Sequence, residues 1–223
     1  TYNGALRASR DGAILVGAGS AASDTEVTLY RSEDLGALGT LKGHEEVVRC
    51  VAVSETYILS GAEGGEMLLW SAAMHELLGR LPKEHGDSNV LAAAILGDLG
   101  VTGAEGGKAK LWSLGARTCT ATLRGHPLSV CCVDVSEGAI ATGSRDETAR
   151  LWSREGGACR FTLQHPDFVY ALAMQGDTLV TGCSDKVVRC FSVASGQLTR
   201  ELRGHSRPVF ALALSGTCLL YTS

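Results

Sequence analysis

Six histidines and eight cysteines are the residues of this 223-residue chain whose types invite metal binding or acid–base catalysis. Imidazole and thiolate are the common zinc ligands, and imidazole is the common general base. Their spacing points elsewhere. His44, His85, His126, His165 and His205 follow one another at steps of 41, 41, 39 and 40 residues, and Gly43, Gly125 and Gly204 precede three of them. A fixed period near 40 puts each histidine at the same place in a successive copy of one unit, so no two are expected to share an ion. His75 is off the period and reads as a solvated loop residue. The cysteines contain no C-x-x-C, and Cys131 and Cys132 are adjacent. They keep the period instead: Cys50 with Cys132, and Cys119 with Cys159. This marks small buried strand residues, not a metal or disulfide set. Dispersed thiols fit a reducing compartment, so the expected location is cytoplasmic or nuclear. The segment GAEGGK (103–108) is a poor phosphate loop. Its first glycine is wrongly spaced from Gly107 and Lys108, and Ala109 stands where Ser or Thr would hold the metal. The parallel GAEGGE at 61–66 marks both as strand-to-strand turns. Every other residue suited to catalysis is taken up by the repeat. The expectation is a non-enzyme without cofactors, metal or small-molecule substrate.

The elements that position these residues follow from the same alignment. Trp70, Trp112 and Trp152 are 42 and 40 apart, with Tyr30 and Phe191 in the flanking units. Stacked, SGAEGGEMLLWS (60–71), TGAEGGKAKLWS (102–113), TGSRDETARLWS (142–153) and TGCSDKVVRCFS (181–192) share one template. The leading hydroxyl follows its histidine by 16 or 17 residues and precedes its aromatic by 10. VVRCVAV, YILSGA, AIATGS, VYALAM and TLVTGC are apolar runs of strand length bounded by Gly, Asp, Glu or Ser. Strands about ten residues apart, with turn signals between them, predict an all-β chain with almost no helix and four strands per period.

These marks at these offsets resemble the WD-repeat (β-transducin repeat) family across essentially the whole chain. The repeat style is closest to that of F-box/WD-repeat proteins. The resemblance implies a β-propeller of four-stranded antiparallel blades, incomplete here at about five and a half of seven. The repeat units run roughly 1–42, 43–83, 84–124, 125–163, 164–203 and a partial 204–223. The first lacks its Gly-His loop and keeps Asp24 and Tyr30, with about four extra residues in the preceding turn. The last leaves the pattern after Leu220, where a Ser/Thr-Gly pair is expected. In the family, the histidine, a Ser/Thr hydroxyl, a turn Asp and the Trp indole N–H form one hydrogen-bonded set. His126, Thr142, Asp146 and Trp152 supply all four. His165, Thr181 and Asp185 supply three, because Phe191 has no N–H to donate. His44, Ser60 and Trp70, and likewise His85, Thr102 and Trp112, have Gly64 and Gly106 in the Asp position. Their imidazoles are expected to turn to water or a backbone carbonyl.

Composition is that of a globular chain, 45% hydrophobic and 20% charged. The longest uncharged stretch, around Ser88 to Gly97, is too short to span a membrane. A net charge of −4 without a basic run counts against nucleic acid. The expected partners are therefore proteins or peptides. In WD-repeat propellers, the loops before the first strand and between the second and third strands of each blade share the channel face. Two rows project there by resemblance: Arg49, Leu91, Cys131, Tyr170 and Phe210 after each opening valine, and Glu63, Glu105, Arg145 and Ser184 in the turns. A non-catalytic interaction scaffold is the leading reading. A phosphopeptide receptor of an F-box type ubiquitin ligase is the alternative, because Arg49 (VVRC) and Arg145 (GSRD) match arginines that clamp phosphate there. Leu91, Cys131, Glu63 and Glu105 depart from that chemistry. A structural subunit of a large assembly is the third reading.

Overall fold

The computed structural model describes residues 6–8, 14–18, 25–31, 33–215 and 218–222; Asp24 and its turn lie outside them. Five four-stranded antiparallel sheets and one two-stranded sheet follow each other along the chain. The first comprises β1 (Leu6–Ala8), β2 (Ile14–Ala18), β3 (Glu26–Arg31) and β4 (Ala37–Lys42). The second comprises β5 (Val48–Val53), β6 (Tyr57–Ala62), β7 (Met67–Ser71) and β8 (Leu77–Arg80). The third comprises β9 (Val90–Leu96), β10 (Leu99–Ala104), β11 (Ala109–Ser113) and β12 (Thr118–Leu123). The fourth comprises β13 (Val130–Val135), β14 (Ile140–Ser144), β15 (Thr148–Trp152) and β16 (Cys159–Gln164). The fifth comprises β17 (Val169–Gln175), β18 (Thr178–Cys183), β19 (Val188–Ser192) and β20 (Leu198–Leu202). The hairpin β21 (Ala211–Ser215) with β22 (Cys218–Thr222) completes the order. In each sheet, strands that are neighbours in sequence are neighbours in space. The five strand runs read from the sequence are all strands, and the only helical residues described are a single 3₁₀ turn at Glu63–Gly65.

Two compact units are distinguished, residues 1–104 with 111–120, and residues 105–110 with 121–223. Within each, the core lies between successive sheets. Val27, Leu29 and Leu41 pack with Val48, Ile58, Leu68 and Trp70 in the first unit. Ala141, Leu151 and Leu163 pack with Val169, Leu172, Leu179 and Phe191 in the second. The middle strands β6, β10 and β14 are buried on both faces, while the fourth strands β4, β8, β16 and β20 are exposed along most of their length and β12 is half-buried. This explains the pattern: continuous apolar runs inside and polar, weakly apolar runs outside.

The glycines after Ser60, Thr142 and Thr181 have a steric cause. A Cβ on Gly61 would lie 2.7 Å from Val90 Cγ1 and 2.8 Å from Cys50 Sγ. On Gly143 it would lie 2.5 Å from Cys132 Sγ and 2.7 Å from Val169 Cγ1, and on Gly182 2.7 Å from Val209 Cγ1. The opening valine of the following sheet therefore sits in the space a side chain would take. Cys50 and Cys132 line the same contact and are buried, as is Cys183. Cys159, expected to be a buried strand residue, is exposed because it lies on an outer fourth strand; Cys119, at the matching place, is half-buried.

Candidate functional site

The periodic histidines are structural anchors. In the fourth sheet the Trp152 indole N–H donates to Thr142 Oγ1 at 2.9 Å, and the Thr142 hydroxyl lies 2.7 Å from His126 Nε2. His126 Nδ1 lies 2.7 Å from Asp146 Oδ2, whose other oxygen accepts the Thr148 hydroxyl at 2.7 Å. Every proton is used once if His126 is neutral and protonated on Nδ1, the tautomer the network selects. Burial depresses the pKa of His126; the hydrogen bond and charge of Asp146 oppose this, and Arg150 adds to it.

The second sheet corrects the expectation that His44 lacks a side-chain acceptor. Glu66, two residues beyond Gly64, reaches back so that its Oε2 lies 2.7 Å from His44 Nδ1. Ser60 Oγ, 2.6 Å from His44 Nε2, accepts the Trp70 indole N–H at 2.8 Å. Glu66 is also paired with Arg80, on the strand beside it. Burial, then the charge of Arg80, lowers the pKa of His44 to about 4. His85 and the Trp112 indole meet at Thr102, each 2.8 Å from Oγ1.

In the fifth sheet the hydroxyl contact is kept, with His165 Nε2 2.8 Å from Thr181 Oγ1. The expected acceptor is not. His165 Nδ1 donates to the Leu163 carbonyl at 3.1 Å, whereas Asp185 is engaged by Arg189, with Nη2 2.6 Å from Oδ2. A buried guanidinium needs a carboxylate more than a neutral imidazole does, and Arg189 draws Glu201 as well, at 3.1 Å. Burial lowers the pKa of His165 to about 4, with the Leu163 carbonyl opposing. His75 sits in the β7–β8 turn, half-buried, its N–H bonded to the Ser71 carbonyl at 3.0 Å.

The two surface rows are adjacent. The Glu63 N–H donates to the Val47 carbonyl at 3.0 Å, Arg145 to Ser129 at 3.0 Å and Ser184 to Phe168 at 2.9 Å. Each turn residue is thus tied to the loop two residues before the other row. That other row is a row of β-bulges. The register skips one residue between Val48 and Cys50, Val130 and Cys132, and Val169 and Ala171, leaving Arg49, Cys131 and Tyr170 unopposed. Leu91 is skipped likewise between Val90 and Ala92. A bulge re-aims its side chain out of the alternation, so these residues are half-buried at the sheet end.

The row members differ in chemistry. Arg49, expected to meet a ligand, is paired with Glu63, which was expected only to oppose one. In the second unit, Tyr170 and Phe210 have ring centroids 5.0 Å apart, and Phe168 meets Tyr170 edge-on at 6.1 Å. Phe210 is 47% exposed. Burial raises the Cys131 thiol pKa, and Arg145, against the sulfur, pulls it back, while Glu105 adds to the rise. Burial also raises Tyr170, with Arg145 opposing and Asp167 reinforcing. Glu105, Cys131, Arg145, Tyr170 and Phe210 thus form one strip in which each affects its neighbour. Among the described residues, no group of three His, Cys, Asp or Glu side chains is placed to hold a metal ion.

A family model for the WD domain, G-beta repeat, matches residues 36–71, 117–153 and 157–192. Each match runs through one histidine–hydroxyl–aromatic set. The chain belongs to the WD-repeat family. WD-repeat relatives include mitochondrial division protein 1 of Neurospora crassa, 26% identical over 85% of this chain and 32% of that protein. Nuclear distribution protein nudF of Aspergillus niger is 23% identical over 83% of this chain and 49% of its own length. Autophagy-related protein 16 of Arabidopsis thaliana is 33% identical over 42% of this chain and 19% of that protein. This WD-repeat chain therefore spans less than half of each of these relatives. The computationally designed Ika8 protein matches its fold with a TM-score of 0.80, over 97% of this chain and 66% of that one, at 24% identity. The WD-repeat pattern marks the Asp position, and it is there that Glu66 escapes notice: its acid lies two residues late and is longer by one methylene. Phe168 escapes because it falls outside both rows.

Proposed function

We propose that this WD-repeat chain acts as a non-catalytic platform for protein or peptide partners, and that the strip from Cys131 to Phe210 is a contact surface. The observation that carries this reading is the pair Tyr170 and Phe210, in tilted ring contact at 5.0 Å with Phe210 left 47% exposed. Large rigid rings held at a sheet end supply contact area at little entropic cost, and aromatic and Arg residues dominate binding surfaces. His44, His126 and His165 support the reading, because both ring nitrogens of each are engaged in hydrogen bonds that hold the sheet and its entry loop. The phosphopeptide alternative keeps Arg145 but loses force at Arg49, whose charge Glu63 already neutralises. A test is selection of random peptides on a display library against the immobilised chain, counter-screened against Tyr170→Ala and Phe210→Ala. Selected peptides are expected to lose at least tenfold in affinity for either variant, as for loss of a hot-spot ring of about 2 kcal/mol. Equal binding to wild type and both variants contradicts the proposal.

A further inference from the structure

The arginines of this chain with carboxylate partners are many. Arg31 pairs with Asp34, Arg49 with Glu63, Arg80 with Glu45 and Glu66, Arg154 with Glu137, Arg189 with Asp185 and Glu201, and Arg203 with Glu201. Arg145 differs. It is exposed, its backbone N–H is held by the Ser129 carbonyl, and its guanidinium lies against the Cys131 thiol, a weak acceptor. Among the described residues no carboxylate pairs with it. Tyr170, close enough to feel its charge, carries Phe168 on one side and Phe210 on the other. An unpaired planar donor fork beside a partly exposed aromatic cluster is complementary to an anion attached to an apolar group.

The surrounding charge decides which anion. Asp167, whose Oδ1 accepts the N–H of the Phe168 that packs on Tyr170, fixes a carboxylate beside the aromatic cluster, and Glu105 adds negative charge near Cys131. A phosphoryl group brings a charge of about −1.5 to −2 at pH 7 and meets both. A carboxylate brings a single charge and matches the fork bidentately.

We infer that the strip recognises a peptide segment in which one unphosphorylated Asp or Glu, paired with Arg145, lies beside an apolar or aromatic side chain seated on Tyr170 and Phe210. This deepens the platform reading and rests on it. A rigid turn fixes Arg145 relative to Tyr170, so the acid and the apolar anchor of the ligand must be near neighbours in sequence.

The test uses a random heptapeptide display library against the full chain, wild type and with Arg145→Gln, Arg145→Lys, Arg145→Glu or Phe210→Ala. The wild-type pool is expected to enrich Asp or Glu within two residues of Phe, Trp, Leu or Ile. Representative peptides are expected to lose roughly ten- to a hundredfold in affinity when the acid is made the amide or when Arg145→Gln is introduced. Arg145→Lys is expected to retain part of the affinity, and Arg145→Glu to shift the pool toward Lys and Arg, a reversal that a merely unfolded variant cannot produce. Phosphoserine in place of the acid is expected to bind more weakly than glutamate. The inference is overturned if Arg145→Gln leaves the pool unchanged while Phe210→Ala abolishes it; the platform reading then survives without the acid. Tighter binding of the phosphoserine form also overturns it. No enrichment on wild type, or enrichment indifferent to Phe210→Ala, overturns both readings.

Discussion

At the scale of single residues, the hydrogen-bonded sets make distinct demands. Asp146→Ala leaves the buried His126 Nδ1–H short of its carboxylate, and the expected cost is about 1–3 kcal/mol. Glu66→Ala has the same consequence for His44 and also releases Arg80, so its cost should be at least as large. Asp185→Ala should act through Arg189 and leave the His165 hydrogen bond in place, because His165 bonds the Leu163 carbonyl. Urea denaturation midpoints check all three, and the Nδ1–H resonances of the imidazoles separate them: the His165 signal should persist in Asp185→Ala. The histidine and hydroxyl positions were legible from the period alone. The acceptors were not, because a hydrogen bond is satisfied by any oxygen within reach, and reach depends on side-chain length and backbone course that spacing does not encode.

At the scale of elements, the outer hairpins carry a shared conformational demand. Leu35, His75 and Arg117 each have φ of 56°, at the place where Gly157 and Gly196 have φ of 67° and 69°. The ring closure recurs: Leu35, His75 and Gly196 N–H groups donate to the carbonyls of Arg31, Ser71 and Ser192, at 2.9, 3.0 and 2.8 Å. A left-handed non-glycine residue costs about 1–2 kcal/mol, and glycine returns about 0.4–1 of that in unfolded-chain entropy. His75→Gly should therefore raise stability by about 0.5–1 kcal/mol, as should Leu35→Gly. Arg117→Gly should not, because Arg117 Nη1 donates to the Leu78 carbonyl at 2.6 Å. Gly143→Ala should cost about 1–3 kcal/mol, since its Cβ would press on Cys132 and Val169. Thermal unfolding of these four variants gives the order. Strands were readable as apolar runs. These turns were not, since Leu, His and Arg carry no turn signal and the hairpin geometry imposes the conformation.

At the scale of the whole molecule, buried neutral imidazoles couple stability to pH. His44 and His165 have folded pKa values near 4, against an ordinary value of 6.5. Between pH 6.5 and 4 the unfolded chain therefore binds protons that the folded chain refuses. Stability should be level between about pH 6.5 and 8 and fall as pH drops toward 4, by on the order of 3 kcal/mol for each of these two histidines. His126, lowered in the same direction, adds to the decline. Denaturant midpoints across this range check the sign; a midpoint that rises on acidification contradicts it.

The family was legible from sequence because several marks recur at fixed offsets, whereas the surface was legible only as positions. Which row members are spent internally, as Arg49 is, and which stay open, as Arg145 and Phe210 are, depends on pairings across strands and sheets. Backbone amide hydrogen exchange tests this distinction most directly, run with and without a peptide selected on the wild-type chain. Slowed exchange is expected at residues 128–131, 144–147, 167–171 and 207–211, the loops and bulges that build the strip, and the outer hairpins at 74–78, 154–160 and 194–199 should be unchanged. Protection confined to those outer hairpins, with none around Arg145 and Tyr170, contradicts a binding face built from the bulge and turn rows.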